Sequence, residues 1–251
     1  MSVLTNLAAD QTLTIGLVPT GTKKVLVRAV GPTLQSAFAL VGSYADPRFT
    51  LINQLTGTVD GQNDNWDASL NSTFTALGAF SLAAGSKDAA ALNPVSGPHT
   101  VQVNGSGSGL LLVELYDADK TDSSRLFNVS ARSQVGTGSD VLVAGFIIDG
   151  NAPATVLIRG IGPALLDLFG INGAIADPKL TVYQNGTKIA ENDNWNPDLV
   201  TTFDQVGAFR FKSASKDSAL LLTLPPGSYT AQVSGVGNVT GNGIVELYVV
   251  P

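Results

Sequence analysis

The chain has 251 residues, of which 44% are hydrophobic and only 14% charged, and its formal net charge is −6. A hydrophobic fraction of this size can fill a core and excludes a disordered chain, while the negative charge excludes a protein that binds nucleic acid through a basic surface. The absence of cysteine excludes disulfides, thiolate nucleophiles and zinc–thiolate sites.

The apolar runs of the sequence are too short to cross a membrane as helices. The longest are residues 110–115, interrupted by Glu114, and residues 141–148, interrupted by Gly145, whereas a membrane helix needs about 20 apolar residues. The first eleven residues have neither a basic segment nor an apolar one, so they do not resemble a secretion signal. We expect a chain without a membrane span that is not exported by a standard route, unless a signal has been removed.

Two parts of the chain repeat each other. Residues 25–34 (VLVRAVGPTL) return as residues 156–165 (VLIRGIGPAL) with six of ten positions identical. The motifs ADP, NDNW, GAF, SKD and ELY each occur twice, in the same order, at offsets between 129 and 132 residues. A shared order with such small drifts indicates two copies of one fold, with insertions in loops.

A polar segment, residues 117–125 (DADKTDSSR), separates the two copies and is typical of a short linker. We place the boundary after Asp119, so that repeat 1 covers residues 1–119 and repeat 2 covers residues 120–251. Basic and acidic residues number 5 and 9 in repeat 1, and 9 and 11 in repeat 2. Neither copy is therefore a basic arm.

Each copy shows short aliphatic or β-branched segments bounded by Gly, Pro, Asn or Asp, which is typical of strands. Strands are predicted at residues 25–28, 49–53, 100–103 and 110–115 of repeat 1 and at residues 229–233 of repeat 2. Short helical turns are predicted at residues 33–40, 71–77, 164–169 and 199–206. This pattern, with about 120 residues per copy, predicts an all-β chain of two tandem β-sandwich or jelly-roll-like domains.

The order of motifs in repeat 2 resembles a repeat of large secreted and surface proteins of environmental bacteria. These motifs are VLIRGIGP, ADPKLTVY, ENDNW, VGAF, SKDSALLLTLPPGSYTAQVSG and GIVELY. The resemblance covers both copies and nearly the whole chain. The residues around DPKL, NDN and LPPGSYT are more weakly similar to the pre-peptidase C-terminal type of β-sandwich, an accessory domain of secreted hydrolases. Both resemblances imply a non-catalytic extracellular β-domain. Repeat 1 departs from the pattern at residues 93–99 (NPVSGPH).

Several aspartates recur at equivalent positions and could bind a cation. Asp46 and Asp64 return as Asp177 and Asp193. Asx-rich loops supply the oxygen ligands that Ca²⁺ takes in sets of roughly six to eight. The same side chains also fold back on backbone amides to close turns. The sequence leaves open a calcium site or a turn-closing role, and no other cofactor is predicted.

Two arginines lie in otherwise apolar strands, where a guanidinium that leaves water needs a charged partner. The recurring acidic positions supply one, and we predict a buried ion pair in each copy: Arg28 with Glu114, and Arg159 with Glu246. An anion-binding site at the arginines is the alternative.

Two tryptophans, Trp66 and Trp195, each follow Asn-Asp-Asn. We predict that they are core aromatics, although an exposed indole at this place could stack on a sugar ring. His99, the only histidine, aligns with Tyr229 in repeat 2 and is predicted to be a surface loop residue. We assign no catalytic residue, because a duplicated catalytic centre in two copies of a small sandwich would be unusual.

These observations predict a non-enzymatic structural protein of the extracellular space or cell surface. We expect its subunits to join head to tail in a filament or array, where unpaired edge strands are completed by a neighbour's terminal segment. The first strand, residues 4–9, would pair with its own sheet or with a neighbouring subunit. The alternative is a carbohydrate-binding or adhesin module of a larger secreted protein, with surface glycans as partners.

Overall fold

The computed structural model describes residues 1–119 and 126–251, and it divides the chain into two compact units, Met1–Phe127 and Asn128–Pro251. The division falls eight residues after the predicted boundary at Asp119. Most of the predicted linker, residues 120–125, lies outside the described residues.

Unit 1 is a sandwich of two antiparallel four-stranded sheets, in the order β1-β8-β3-β6 and β2-β7-β4-β5. Its strands are β1 (Ser2–Leu7), β2 (Leu13–Pro19), β3 (Thr22–Val30), β4 (Asp46–Asn53), β5 (Val59–Asn63), β6 (Ala89–Ser96), β7 (His99–Ser106) and β8 (Gly109–Asp117). Its helices are α1 (Pro32–Phe38) and α2 (Asn71–Leu77), the latter preceded by a 3₁₀ turn at Ala68–Leu70.

Unit 2 repeats this arrangement, with sheets in the order β9-β16-β11-β14 and β10-β15-β12-β13. Its strands are β9 (Leu126–Val135), β10 (Leu142–Ile148), β11 (Ala154–Ile161), β12 (Pro178–Gln184), β13 (Thr187–Asn192), β14 (Ser218–Leu224), β15 (Gly227–Gly235) and β16 (Gly241–Val249). Its helices are α3 (Pro163–Phe169) and α4 (Val200–Gln205), with 3₁₀ turns at Pro197–Leu199 and Val236–Asn238.

Each strand of unit 2 thus takes the sheet position of the strand eight places before it. The predicted all-β fold of two β-sandwich, jelly-roll-like units is confirmed. None of the helices in residues 1–119 or 126–251 has the length and apolar character that a membrane crossing requires.

Strand β3 is buried on both faces from Val25 to Val30, because its sheet has apolar layers on both sides. Alternate residues of a strand face opposite sides of the sheet. Leu26 and Val30 lie in a cluster with Phe74 of α2 and Leu82 of the following loop. This second layer, outside the sandwich, covers the face on which Arg28 must also lie.

The Gly-Pro motif that follows β3 and β11 places two backbone segments in close contact. A Cβ atom on Gly31 would lie 2.0 Å from the carbonyl oxygen of Tyr44, and one on Gly162 would lie 2.1 Å from that of Ile175. Only glycine allows this approach. The proline that follows begins the helix, where its missing N–H leaves no intrahelical hydrogen bond unmade.

We expect Gly162→Ala to lower the free energy of unfolding by about 3 kcal/mol, the upper end of overpacking penalties, because the clash is with backbone. Gly170→Ala is the control, since no atom lies within 4 Å of its Cβ position and only its φ of +66° is strained. It should cost about 1 kcal/mol. Urea denaturation of both variants measures the difference, and equal losses would contradict the close-approach explanation.

Candidate functional site

The two strand arginines lie directly opposite glutamates of the neighbouring strand. Arg28 is the register partner of Glu114, and Arg159 that of Glu246. Arg159 donates from Nε and Nη2 to Oε2 of Glu246 at 2.9 and 2.5 Å. Nε of Arg28 lies 3.2 Å from Oε2 of Glu114. Both arginines are fully buried and both glutamates nearly so, which places the predicted partners together in each unit.

Aromatic rings enclose both guanidinium groups. The Arg28 guanidinium lies 4.6 Å from the ring centre of Phe74 and 4.3 Å from that of Phe80. Around Arg159 the corresponding distances are 4.9 Å to Phe203, 4.2 Å to Phe209, 4.6 Å to Phe211 and 5.8 Å to Tyr248. Such contacts stabilise a desolvated cation by about 2 kcal/mol. Because the rings and the sheet bury these groups, the arginines offer no open anion-binding surface.

A backbone carbonyl and a tyrosine complete each network. Nη1 of Arg28 donates to the carbonyl oxygen of Phe80 at 2.8 Å, and Nη1 of Arg159 donates to that of Phe209 at 2.6 Å. The hydroxyl of Tyr116 donates to Oε1 of Glu114 at 2.7 Å. Burial and the adjacent carboxylate raise the pKa of Tyr116, so its hydroxyl keeps the proton that it donates.

The network in unit 1 is the less complete of the two. The 3.2 Å approach of Arg28 to Glu114 lacks hydrogen-bond geometry, and Nε and Nη2 of Arg28 and Oε2 of Glu114 are buried without a hydrogen-bond partner. Burial lowers the pKa of Arg28, and Glu114 opposes that shift. Unit 1 therefore holds its buried pair at a higher desolvation cost than unit 2 does.

A second buried carboxylate holds the start of the helix after each Gly-Pro motif. Asp88 accepts from the backbone N–H of Gly31 at 2.7 Å and of Thr33 at 3.2 Å. Asp217 does the same for Gly162 and Ala164, at 2.7 and 3.1 Å. These aspartates replace a local N-cap side chain, which explains why the SKD motif recurs.

We expect Arg159→Met to lower the free energy of unfolding by about 3–5 kcal/mol, because it leaves Glu246 buried without its counter-ion. The double variant Arg159→Met/Glu246→Gln removes both charges and keeps an acceptor for the Tyr248 hydroxyl. It should recover most of the loss. Chemical denaturation followed by tryptophan fluorescence measures both, and a double variant as unstable as the single one would contradict the role of the unpaired charge.

The Asp217 carboxyl should make stability depend on pH. Burial raises its pKa, against the lowering effect of its hydrogen-bond donors. The folded state therefore binds the Asp217 proton more tightly than the unfolded chain, whose Asp pKa is about 3.9. The protonated Asp217 carboxyl therefore contributes to stability below the pKa of the unfolded chain. This contribution is lost as the pH rises through the pKa of Asp217 in the folded state.

Asp217→Asn keeps an acceptor at this position but does not titrate. The free energy of unfolding of the parent chain, relative to this variant, should fall as the pH rises from about 3 towards neutrality. Denaturant titrations at several pH values measure this difference. A difference that increases with pH would contradict the assignment.

Each of the four aspartates predicted as calcium ligands accepts a hydrogen bond from a neighbouring side chain. Asp46 binds Nζ of Lys87 at 2.6 Å, and Asp177 binds Lys216. Asp64 and Asp193 accept from the side chains of the asparagines that follow them. Within residues 1–119 and 126–251, no three His, Asp or Glu side chains come together as metal ligands. Asp46 and Asp177 thus form ion pairs, while Asp64 and Asp193 bind side-chain amides; calcium binding stays a prediction.

The prediction of a surface loop histidine at position 99 is wrong. His99 is buried at the start of β7, with Nδ1 3.1 Å from the carbonyl oxygen of Gly97 and Nε2 3.0 Å from Oδ2 of Asp60. This hydrogen bond holds the pKa of Asp60 below its usual range. Both ring nitrogens are engaged, so His99 is not placed to act as a general base.

The two tryptophans differ in exposure. Trp195 is 7% exposed and packs against Phe203 and Phe211, each 5.6 Å away between ring centres. Trp66 is only half-buried, and it lines an open groove of about 420 Å³ in unit 1. The core role predicted for both residues therefore describes Trp195 better than Trp66.

No family model matches the chain, and no curated protein matches it. Among solved structures, PNGF-II in a P2₁ crystal form is 10% identical with a TM-score of 0.27, over 99% of this chain and 60% of that one. The major capsid protein P2 of bacteriophage PM2 is 11% identical with a TM-score of 0.26, over 100% and 98% of the two chains. A chain from Sulfolobus turreted icosahedral virus is 12% identical with a TM-score of 0.21, over 98% and 90%.

This chain thus spans 60% of the length of the PNGF-II chain that it matches. The resemblance to surface-protein repeats stays a prediction.

Proposed function

We propose that the chain is a non-enzymatic structural protein whose copies assemble through one apolar helix surface on each repeat. The observation that carries the proposal is an exposed apolar cluster at the helix after each Gly-Pro motif. Helix surface 1 consists of Phe38, Leu40 and Val41, which are 50%, 39% and 88% exposed. Helix surface 2 consists of Leu166, Leu168 and Phe169, which are 52%, 43% and 56% exposed.

The two surfaces are apolar throughout and lack free charge. Residues 29–45, around helix surface 1, contain no charged residue. Residues 160–176 contain one, Asp167, whose carboxylate lies 2.8 Å from Nζ of Lys212. Exposed apolar side chains grouped along the chain in this way are typical of contact sites for other protein surfaces. Burying them against another copy releases the water that covers them.

The core holds both surfaces in a fixed position. Phe38 meets Phe80 edge to face at 5.1 Å, and Phe169 meets Phe209 in the same way at 5.2 Å. Phe80 and Phe209 are the rings that lie on the buried arginines. A surface fixed in this way loses little conformational entropy on association.

One surface on each repeat gives each chain two contact sites. If helix surface 1 of one subunit binds helix surface 2 of the next, the contact is heterologous, and repeating it produces an open polymer when its rotation does not close a ring. This supports a filament or array joined head to tail. An extracellular or cell-surface location, with a role in adhesion, belongs to the same proposal through the resemblance to surface-protein repeats.

The remaining charged side chains support a structural role. The carboxylates that recur in both repeats are engaged in ion pairs, helix capping and side-chain hydrogen bonds, and His99 uses both of its nitrogens. The first strand, β1, pairs with β8 of its own unit from Ser2 to Leu7. Deleting residues 1–11 would therefore damage the fold of unit 1, so substitutions on the helix surfaces are the cleaner test of assembly.

We expect Val41→Asp and Leu166→Asp each to abolish polymers, because each places a charge on one of the two surfaces. An equal mixture of the two variants should form dimers and nothing longer, since one intact copy of each surface remains in every pair. Light scattering after size exclusion and electron microscopy measure the assemblies. Leu55→Asp, at a 76% exposed apolar residue outside both surfaces, is the control and should polymerise like the parent chain.

Three results would contradict this proposal. The parent chain would remain monomeric at high concentration, the two variants would polymerise as it does, or each variant would dimerise by itself. The last result would indicate contacts between identical surfaces in place of head-to-tail contacts.

A further inference from the structure

The Trp66 groove of unit 1 is a surface feature that assembly through the helix surfaces does not explain. Its volume of about 420 Å³ falls within the roughly 300–1,000 Å³ typical of small-molecule sites. Trp66 and Leu82 contribute apolar surface, and polar side chains complete the lining: Asp67, Asn71, Thr75 and Ser81. The groove therefore combines one large aromatic ring with hydroxyl, amide and carboxylate groups.

The indole of Trp66 is held in place. Its ring packs on Phe74 with the centres 5.8 Å apart, and its Nε1–H donates to Oγ of Ser86 at 3.1 Å. Ser86 donates in turn to the buried Asp88 at 2.5 Å. A partly exposed aromatic ring fixed by a hydrogen-bonded network is a preorganised contact surface, because binding need not order it.

Unit 2 fills the equivalent place with its own side chains. At the constant offset of 129 residues, Leu82 corresponds to Phe211, which packs edge to face on Trp195. Ser81 and Thr75 correspond to Arg210 and Asp204, which form a two-hydrogen-bond ion pair at 2.8 and 2.5 Å. The same fold is therefore stable with this place closed, and the smaller side chains of unit 1 are what leave it open.

We infer that the Trp66 groove binds a neutral pyranose unit of an oligosaccharide or polysaccharide. The C–H face of a pyranose ring is apolar and stacks on an aromatic face, while its hydroxyls need donors and acceptors at the ring's edge. Trp66 supplies the aromatic face, and the four polar side chains supply the hydrogen-bond donors and acceptors. The hydrogen bonds that Asp67 makes with Ser69 keep the pKa of Asp67 low, so its carboxylate remains an acceptor at neutral pH.

The test uses native gels that contain soluble xylan, laminarin, hydroxyethylcellulose or galactomannan. Val41→Asp serves as the common background, so that polymer formation does not contribute to retardation. We expect at least one of these polysaccharides to retard the chain. Trp66→Ala should weaken that binding about tenfold or more, and Trp195→Phe should leave it unchanged.

A plugged variant keeps the fold and closes the groove. Leu82→Phe/Ser81→Arg/Thr75→Asp gives unit 1 the side chains that close unit 2, and it should lose binding while its thermal unfolding stays cooperative. Since the chain has only two tryptophans, Trp195→Phe also leaves Trp66 as the sole indole fluorophore. Its emission should shift when the retarding polysaccharide is added.

The inference is overturned if none of the four polysaccharides retards the chain or shifts the Trp66 emission. It is also overturned if the plugged variant is retarded as strongly as its parent. Both results are independent of polymer formation, because every measurement is made in the Val41→Asp background.

Discussion

The buried arginine–glutamate pair of each repeat is the interaction on which the rest of the unit depends. Taking two charges out of water costs several kcal/mol per ion, and their attraction offsets this only when the geometry is good and the remaining polar atoms are satisfied. The pair lies on the outer face of its sheet, so something must cover it. The helix, the loop and the aromatic rings outside the sandwich supply that cover, with a carbonyl oxygen for the free guanidinium nitrogen. A plain β-sandwich would leave this face to water.

The recurring motifs then have structural explanations that depend on one another. The glycine of Gly-Pro lets two backbone segments meet, the aspartate of SKD holds the helix that follows, and the lysine of SKD binds the aspartate of ADP. The first asparagine of NDNW accepts from Ala90 in unit 1 and from Ala219 in unit 2, which ties β5 to β6 and β13 to β14. The polar and charged residues of these motifs resemble candidate functional residues, but in this structure they fix a long loop over the buried ion pair.

The repeat order and strand composition predict the class of fold, and the need to neutralise Arg28 and Arg159 predicts that each meets a recurring carboxylate of its own copy. The aromatic rings were harder to predict, although GAF and ELY recur and contain Phe80, Phe209, Tyr116 and Tyr248. A motif shows that a residue is used twice, but not which side chain it faces across the fold. His99 was misplaced because its partner, Asp60, lies on β5, and only the sheet topology brings the two together. The exposure of Trp66 depends on Leu82, sixteen residues away, and local sequence does not reveal such a pairing.

Phe211 of unit 2, which corresponds to Leu82 of unit 1, links two differences between the repeats. The Phe211 ring lies 4.6 Å from the Arg159 guanidinium and also packs on Trp195. It therefore stabilises the buried charge and, at the same time, covers the tryptophan. Leu82, the counterpart of Phe211 in unit 1, has no aromatic ring for either contact. In unit 1 the groove is open, and two nitrogens of Arg28 lack hydrogen-bond partners. The open groove therefore accompanies a less well-stabilised ion pair beneath it. Departures from the best local packing are expected where a surface has a function of its own. The open groove is such a departure in unit 1, and the closed counterpart in unit 2 shows that the fold does not require an open groove.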